Sequence, residues 1–199
     1  MGQYYRGAIL NEEKNDVIKA LCCYAHNNGA KLMEHSWIGN HYVKAYEHLL
    51  ATTYKNKPFV WIGDYADNAN IYDLACQYAD DRAKEKYFNL HKCTSDHERW
   101  LDKEYYESIP YNKLKYYKYL LNYDTKQFVK LPKINKNKWV IHPLPLLCAD
   151  GNGRGGGDYH DNGHCDYDKV GIWAYNHIGV SNTLPDDFTE LKLNFNEEY

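Results

Sequence analysis

Five of the chain's 13 glycines fall between Gly151 and Gly157, in the stretch Cys148-Ala-Asp-Gly-Asn-Gly-Arg-Gly-Gly-Gly-Asp158. Glycine reaches positive φ without a Cβ clash and lets a ligand come close to the backbone. A row of free N–H groups in such a loop can cradle an anion, as phosphate loops do. The pattern is not a Walker loop, because no Gly-Lys-Ser/Thr follows. It is not the dinucleotide fingerprint either, since prolines precede it and no helical pattern follows. Charge narrows the choice. Residues 148–168 hold Asp150, Asp158, Asp161, Asp166 and Asp168 against Arg154 alone. Two unit charges about 4 Å apart interact by roughly 1 kcal/mol even in water. An anion here needs Arg154 or a metal to offset that field. Three readings stand: a tight turn that demands positive φ, a ligand loop anchored by Arg154, and a cation site.

The cation reading has a definite form. Asp150, Asn152, Asp158 and Asp161 fall at positions 1, 3, 9 and 12 of a calcium-loop frame, with Gly155 at position 6. Arg154 at position 5, Asp in place of Glu at position 12 and the lack of flanking helices break the EF-hand pattern. His160, His164 and Cys165 lie close together but lack the paired spacing of structural zinc sites. No metal or cofactor is therefore assigned.

His35, between Glu34 and Ser36, has the surroundings of a general base or of a structural histidine among aromatics. His142, before Pro143, has the same two readings. Asp64 and Asp67 follow a short apolar strand, where carboxylates serve metals, acid–base chemistry or helix capping. No nucleophile elbow is present, and no cysteine sits in a known nucleophile context. The expected site is a loop-built ligand pocket of His35, Asp64, His142, Gly151, Gly153, Arg154, Gly155, Gly156, Gly157 and Asp158. Its competitor is a metal-assisted hydrolase or transferase using Asp64, His142 and Asp158. A structural or assembly subunit is the third class.

Charge is uneven along the chain. Residues 1–81 carry a net −3, residues 82–138 a net +7 and residues 139–199 a net −7. The basic middle interleaves lysines with Tyr105, Tyr106, Tyr116, Tyr117 and Tyr119. Charge beside stacking surfaces suits single-stranded nucleic acid. The same stripe suits a solvated surface or an acidic protein partner.

The elements that must position these residues follow from periodicity. Tyr4–Leu10 reads as a strand. Val17–Ala25 reads as a strand or a short helix. His41–Leu50 has apolar residues at 42, 43, 45, 46, 49 and 50, an amphipathic helix with Asn40 as N-cap. Phe59–Ile62 reads as a short buried strand, and Ile71–Phe88 and Thr94–Tyr106 as helices. Lys115–Leu121 and Gln127–Leu131 form the arms of a hairpin. Trp139–Ile141 is a strand stopped by Pro143 and Pro145. Val170–Tyr175 and Phe188–Phe195 supply the last strands. Mixed strands and helices without a βαβ rhythm predict a single α+β domain over residues 1–199, with a mainly antiparallel sheet.

At 199 residues, 44% hydrophobic and 16% aromatic, the chain is too apolar for disorder. No window approaches a membrane span, and the N-terminus has no signal-peptide pattern. Six cysteines without a C-x-x-C pair read as reduced thiols in a cytoplasmic protein.

Several segments resemble a family of bacterial and phage proteins with no assigned activity. They are Met1-Gly-Gln-Tyr-Tyr5, Gly29-Ala-Lys-Leu-Met-Glu-His-Ser-Trp-Ile-Gly-Asn40, Trp61-Ile-Gly-Asp-Tyr-Ala-Asp67, Tyr119–Val129 and His142–Tyr159. They are spread along most of the chain. The resemblance implies a small cytosolic accessory protein of the kind carried on phages and mobile elements. It implies no activity.

Overall fold

A computed structural model describes residues 3–26, 28–87, 114–133, 140–151, 159 and 167–193. Its strands are β1 (Tyr5–Leu10), β2 (Val17–Ala20), β3 (Lys57–Gly63), β4 (Tyr119–Asn122), β5 (Gln127–Lys130), β6 (Ala149–Asp150), β7 (His177–Ser181) and β8 (Thr189–Glu190). Its helices are α1 (Leu32–His35), α2 (His41–Ala51), α3 (Ala69–Tyr87) and α4 (Pro143–Cys148). Among the described residues the strands form one sheet in the order β2-β1-β3-β7-β4-β5-β8, with β6 added to β3. Only β3–β6 and β5–β8 run parallel. The fold is α+β, with a mainly antiparallel sheet and helices packed against it.

β3 lies at the centre because both of its faces are covered. Phe59 and Trp61 join the cluster under α2 and α4, while Val60 and Ile62 join the one under α3. β1 follows the same alternation, with Tyr5 and Ile9 on one side and Ala8 and Leu10 on the other. A strand buried on both faces needs apolar residues in succession rather than in alternation. That is why Phe-Val-Trp-Ile is legible as a strand.

α2 begins where Asn40 caps it. The Asn40 side chain accepts from the backbone N–H of Tyr42 at 2.9 Å and of Val43 at 3.3 Å. These bonds satisfy donors that a helix start leaves free. Tyr42 and Tyr46 then reach the sheet. The Tyr42 hydroxyl donates to the Leu21 carbonyl at 3.1 Å, and the Tyr46 hydroxyl accepts from the Leu21 N–H at 2.8 Å.

Three expectations change. Pro143 and Pro145 do not simply stop a strand; they open α4, where the His142 ring nitrogen caps the Leu144 N–H at 3.0 Å. Proline suits a first turn because its missing N–H would have no partner there. Val170–Tyr175 is not a strand but a chain of turns. Gly171 has φ +73, its N–H donates to Leu146, and a Cβ would stand 2.3 Å from the Ala149 carbonyl oxygen. Val170 and Trp173 still reach the core from these turns. β7, which pairs with both β3 and β4, was not expected. Val17–Ala25 resolves into β2 and a short 3-10 turn at Tyr24–His26. Of Phe188–Phe195 only Thr189–Glu190 is strand, and of Trp139–Ile141 only Ile141 makes a bridge, to Trp37; Trp139, residues 194–195 and the expected helix Thr94–Tyr106 lie outside the described residues.

Candidate functional site

His35 lies in the core rather than on a surface. It is fully buried, and both ring nitrogens are engaged. Nε2 accepts from the Trp61 indole N–H at 3.0 Å. Nδ1 lies 3.0 Å from the Gly29 carbonyl, so it carries the proton and donates. This is the neutral tautomer. Burial drives its pKa down to about 4. An unfolded histidine titrates near ~6.5. Between those values the unfolded chain takes up a proton that the folded one refuses. The contribution is therefore whole above about pH 6.5 and lost as pH falls toward 4, some ~3 kcal/mol in all. His26, buried with neither ring nitrogen bonded, is driven to about 3, mainly by burial and then by His41. We expect the urea midpoint to drop between pH 6.5 and 4, and His35→Gln to flatten the drop. A wild-type curve that is level over this range would exclude the buried neutral assignment.

Asp64 is half-buried at the end of β3, where its Oδ1 accepts the Tyr4 N–H at 3.0 Å. The parallel register sets Ile62 beside Asp150, so Asp64 and Gly151 leave the sheet at the same end. Gly151 packs against Gln3 and Tyr5; a Cβ there would meet the Tyr5 hydroxyl at 2.2 Å. The Asp150 carboxylate accepts from the Tyr175 hydroxyl at 2.5 Å. Both line a cavity of about 320 Å³ with Gly151 and Gly171. Tyr159, past the loop, is buried in the core. Gly153, Arg154, Gly155, Gly156, Gly157 and Asp158 lie outside the described residues. The structure thus brings Asp64 and Gly151 to one sheet end and places His35 and His142 in the interior.

His142 belongs to a different cluster. Its Nδ1 caps α4, which leaves the Nε2–H to donate to Glu47 Oε1 at 3.0 Å. Glu47 and Lys44 are both buried on α2. The Lys44 ammonium stands 3.8 Å from the centre of the Tyr116 ring, a cation–π contact. These residues floor a recess of about 20 Å³, room for about one water. Tyr116, Tyr117, Leu131 and Pro132 wall it and continue into a much larger open groove.

That groove is about 650 Å³, inside the ~300–1,000 Å³ range of ligand sites. Tyr116, Tyr117 and Tyr119 give it aromatic faces, and Lys118, Lys130 and Lys133 give it positive charge. No described lining residue is acidic. Lys130 shares its charge with Glu190 at 3.0 Å. The β4–β5 hairpin sets the geometry: Tyr119 and Lys130 face each other in register.

The tyrosine–lysine interleaving is visible in the sequence, but its concavity is not. Lys44 and Glu47 escape a sequence reading, although one signal exists. Apolar residues at 42, 43, 45, 46, 49 and 50 cover more than one helix face, so α2 is enclosed and its charges need buried partners.

Among the described residues, no group of three or more His, Cys, Asp or Glu could hold a metal ion. No described helix is long and apolar enough to cross a membrane. Comparisons with protein families, with curated proteins and with solved structures find no match.

Proposed function

We propose that this is a non-enzymatic binding protein whose Tyr–Lys groove takes a short single-stranded nucleic acid segment. The observation that carries the reading is the groove itself: three tyrosines, three lysines and no acidic residue among the described lining of about 650 Å³. Bases stack on tyrosine faces without regard to sequence, and phosphates lie along the lysines. Tyr116 is 62% exposed, and the Lys44 ammonium holds one face of its ring. A phage or mobile-element accessory role is consistent with such a binder.

The hydrolase reading has less support. His142 has both nitrogens committed, to Leu144 and Glu47, and is buried. A small-ligand site at the Asp150–Gly151 cavity remains the second reading, supported by the polar Asp150–Tyr175 pair there.

Titrating a labelled oligothymidylate into the protein tests the proposal. With three lysines on the phosphates, log affinity is expected to fall with log salt at a slope of about −2. Tyr116→Ala is expected to weaken binding by about 1–3 kcal/mol, and Lys133→Glu to reduce the salt slope. Binding that is absent at low salt, or indifferent to both substitutions, would sink the proposal.

A further inference from the structure

The recess beside the groove has a polar floor that base stacking does not use. Lys44 and Glu47 stand three residues apart on α2 and so share a helix face. Both are buried, and both line the recess together with His142. The Glu47 side chain is only 6% exposed. An ionised carboxylate can accept about four hydrogen bonds. Among the described residues only the His142 Nε2–H donates to it, at Oε1. A buried carboxylate short of donors is costly. The recess is where further donors can reach it.

Size restricts what those donors can be. The recess holds about 20 Å³, room for about one water and none for a ring. A single amino group fits that space. The recess shares Tyr116, Tyr117, Leu131 and Pro132 with the groove. A base stacked on either tyrosine can turn its edge toward the floor and insert its exocyclic group, nothing larger. Chemistry then chooses among the edges. Cytosine carries the N4 amine, a donor that a carboxylate accepts from. Beside it lies N3, an acceptor suited to an ammonium such as that of Lys44. Uracil and thymine present the O4 oxygen in place of the amine, and its lone pairs are repelled by a carboxylate.

We infer that Glu47 sets the base preference of the groove: the recess takes the exocyclic amine of one cytosine, so cytosine binds there in preference to uracil. His142 is the positioning residue. Its Nδ1 accepts the Leu144 N–H, so Nε2 carries the proton and holds Glu47 Oε1 in place. The inference rests on the nucleic acid reading of the groove. It adds a preference at one position to binding that stacking alone leaves indifferent to sequence.

Labelled oligodeoxycytidine and oligodeoxyuridine of about six nucleotides share size and charge and differ at this edge. Titrated into the full chain at one salt concentration, the cytidine oligomer is expected to bind about tenfold more tightly. An oligomer of N4,N4-dimethylcytosine has lost both amine donors and is too bulky for the recess. It should bind no better than the uridine oligomer, with the protein unchanged. Glu47→Gln tests the sign. The His142 N–H keeps the glutamine oxygen, which turns the amide N–H₂ toward the recess as a donor for uracil O4. The preference should invert, and the uridine binding that remains reports a folded variant. Equal affinity of the wild type for cytidine and uridine oligomers overturns the inference and leaves the groove reading standing. So does a preference that survives dimethylation, whatever the variant does. Binding of neither oligomer overturns both.

Discussion

Trp61→Ala is expected to cost about 3–5 kcal/mol, the largest loss from any single truncation in the core. Trp61 is fully buried at the centre of β3. Its ring lies 5.3 Å from Tyr46, 5.4 Å from both Tyr42 and His35, and 5.9 Å from Phe59. Alanine leaves a cavity that four rings on α1, α2 and β3 cannot close without moving backbone. It also removes the indole N–H that satisfies His35 Nε2, leaving a buried acceptor unpaired. A domain of this size has only about 5–15 kcal/mol to lose. Trp61→Phe separates the two terms. It keeps most of the packing and deletes the donor, so a loss of about 1–3 kcal/mol is expected from the orphaned nitrogen. Urea unfolding of both variants decides. An alanine variant within 1 kcal/mol of wild type would show that the aromatic cluster is not the mechanical centre of the core.

His142→Ala is expected to cost about as much, ~3–5 kcal/mol, for an electrostatic reason. The substitution removes the α4 cap and leaves the Glu47 carboxylate buried without its donor. Stranding one partner of a buried pair is more damaging than never having had the pair. His142→Asn is the informative companion. Its side-chain oxygen can still cap Leu144, worth about 1 kcal/mol, but it is too short to reach Glu47. Asn should therefore recover about that amount and no more. A His142→Ala, Glu47→Leu double variant should lose less than the two singles combined, because no charge is left stranded. Additive losses would mean that the two side chains do not act together.

Much of the framework was legible because local and long-range signals agreed. β1, β3, the β4–β5 hairpin and α2 with its Asn40 cap all carry a periodicity or a capping residue that matches their burial. Sequence failed where tertiary contact overrode pattern. Val170 and Trp173 are apolar because they fill the core, yet they do so from turns imposed by Gly171. His142-Pro-Leu-Pro reads as a break until His142 is seen as a cap. The groove was half legible: the tyrosines and lysines were visible, but the hairpin register that sets Tyr119 opposite Lys130 is a product of the fold. His35 and His142 had the residue types of a site, and only geometry revealed that their nitrogens serve Trp61, Gly29, Leu144 and Glu47.

The join between β3 and β7 has a consequence for how the molecule opens. Its ladder has two residue pairs, Lys57 with Ile178 and Pro58 with His177, and proline contributes no N–H; Asn56 and Phe59 extend it by backbone bonds to Ile178, Asn176 and Tyr175. One side chain spans the same join: His177 contacts Glu12, beyond β1, at 2.8 Å and Asp124, beyond β4, at 2.8 Å. The sheet is thus two ladders fastened along a short line. Native proteins open in cooperative units whose borders follow such lines of sparse bonding. Amide hydrogen exchange should therefore resolve two protection classes, one for β2-β1-β3 and one for β7-β4-β5, with His177 as the latch between them.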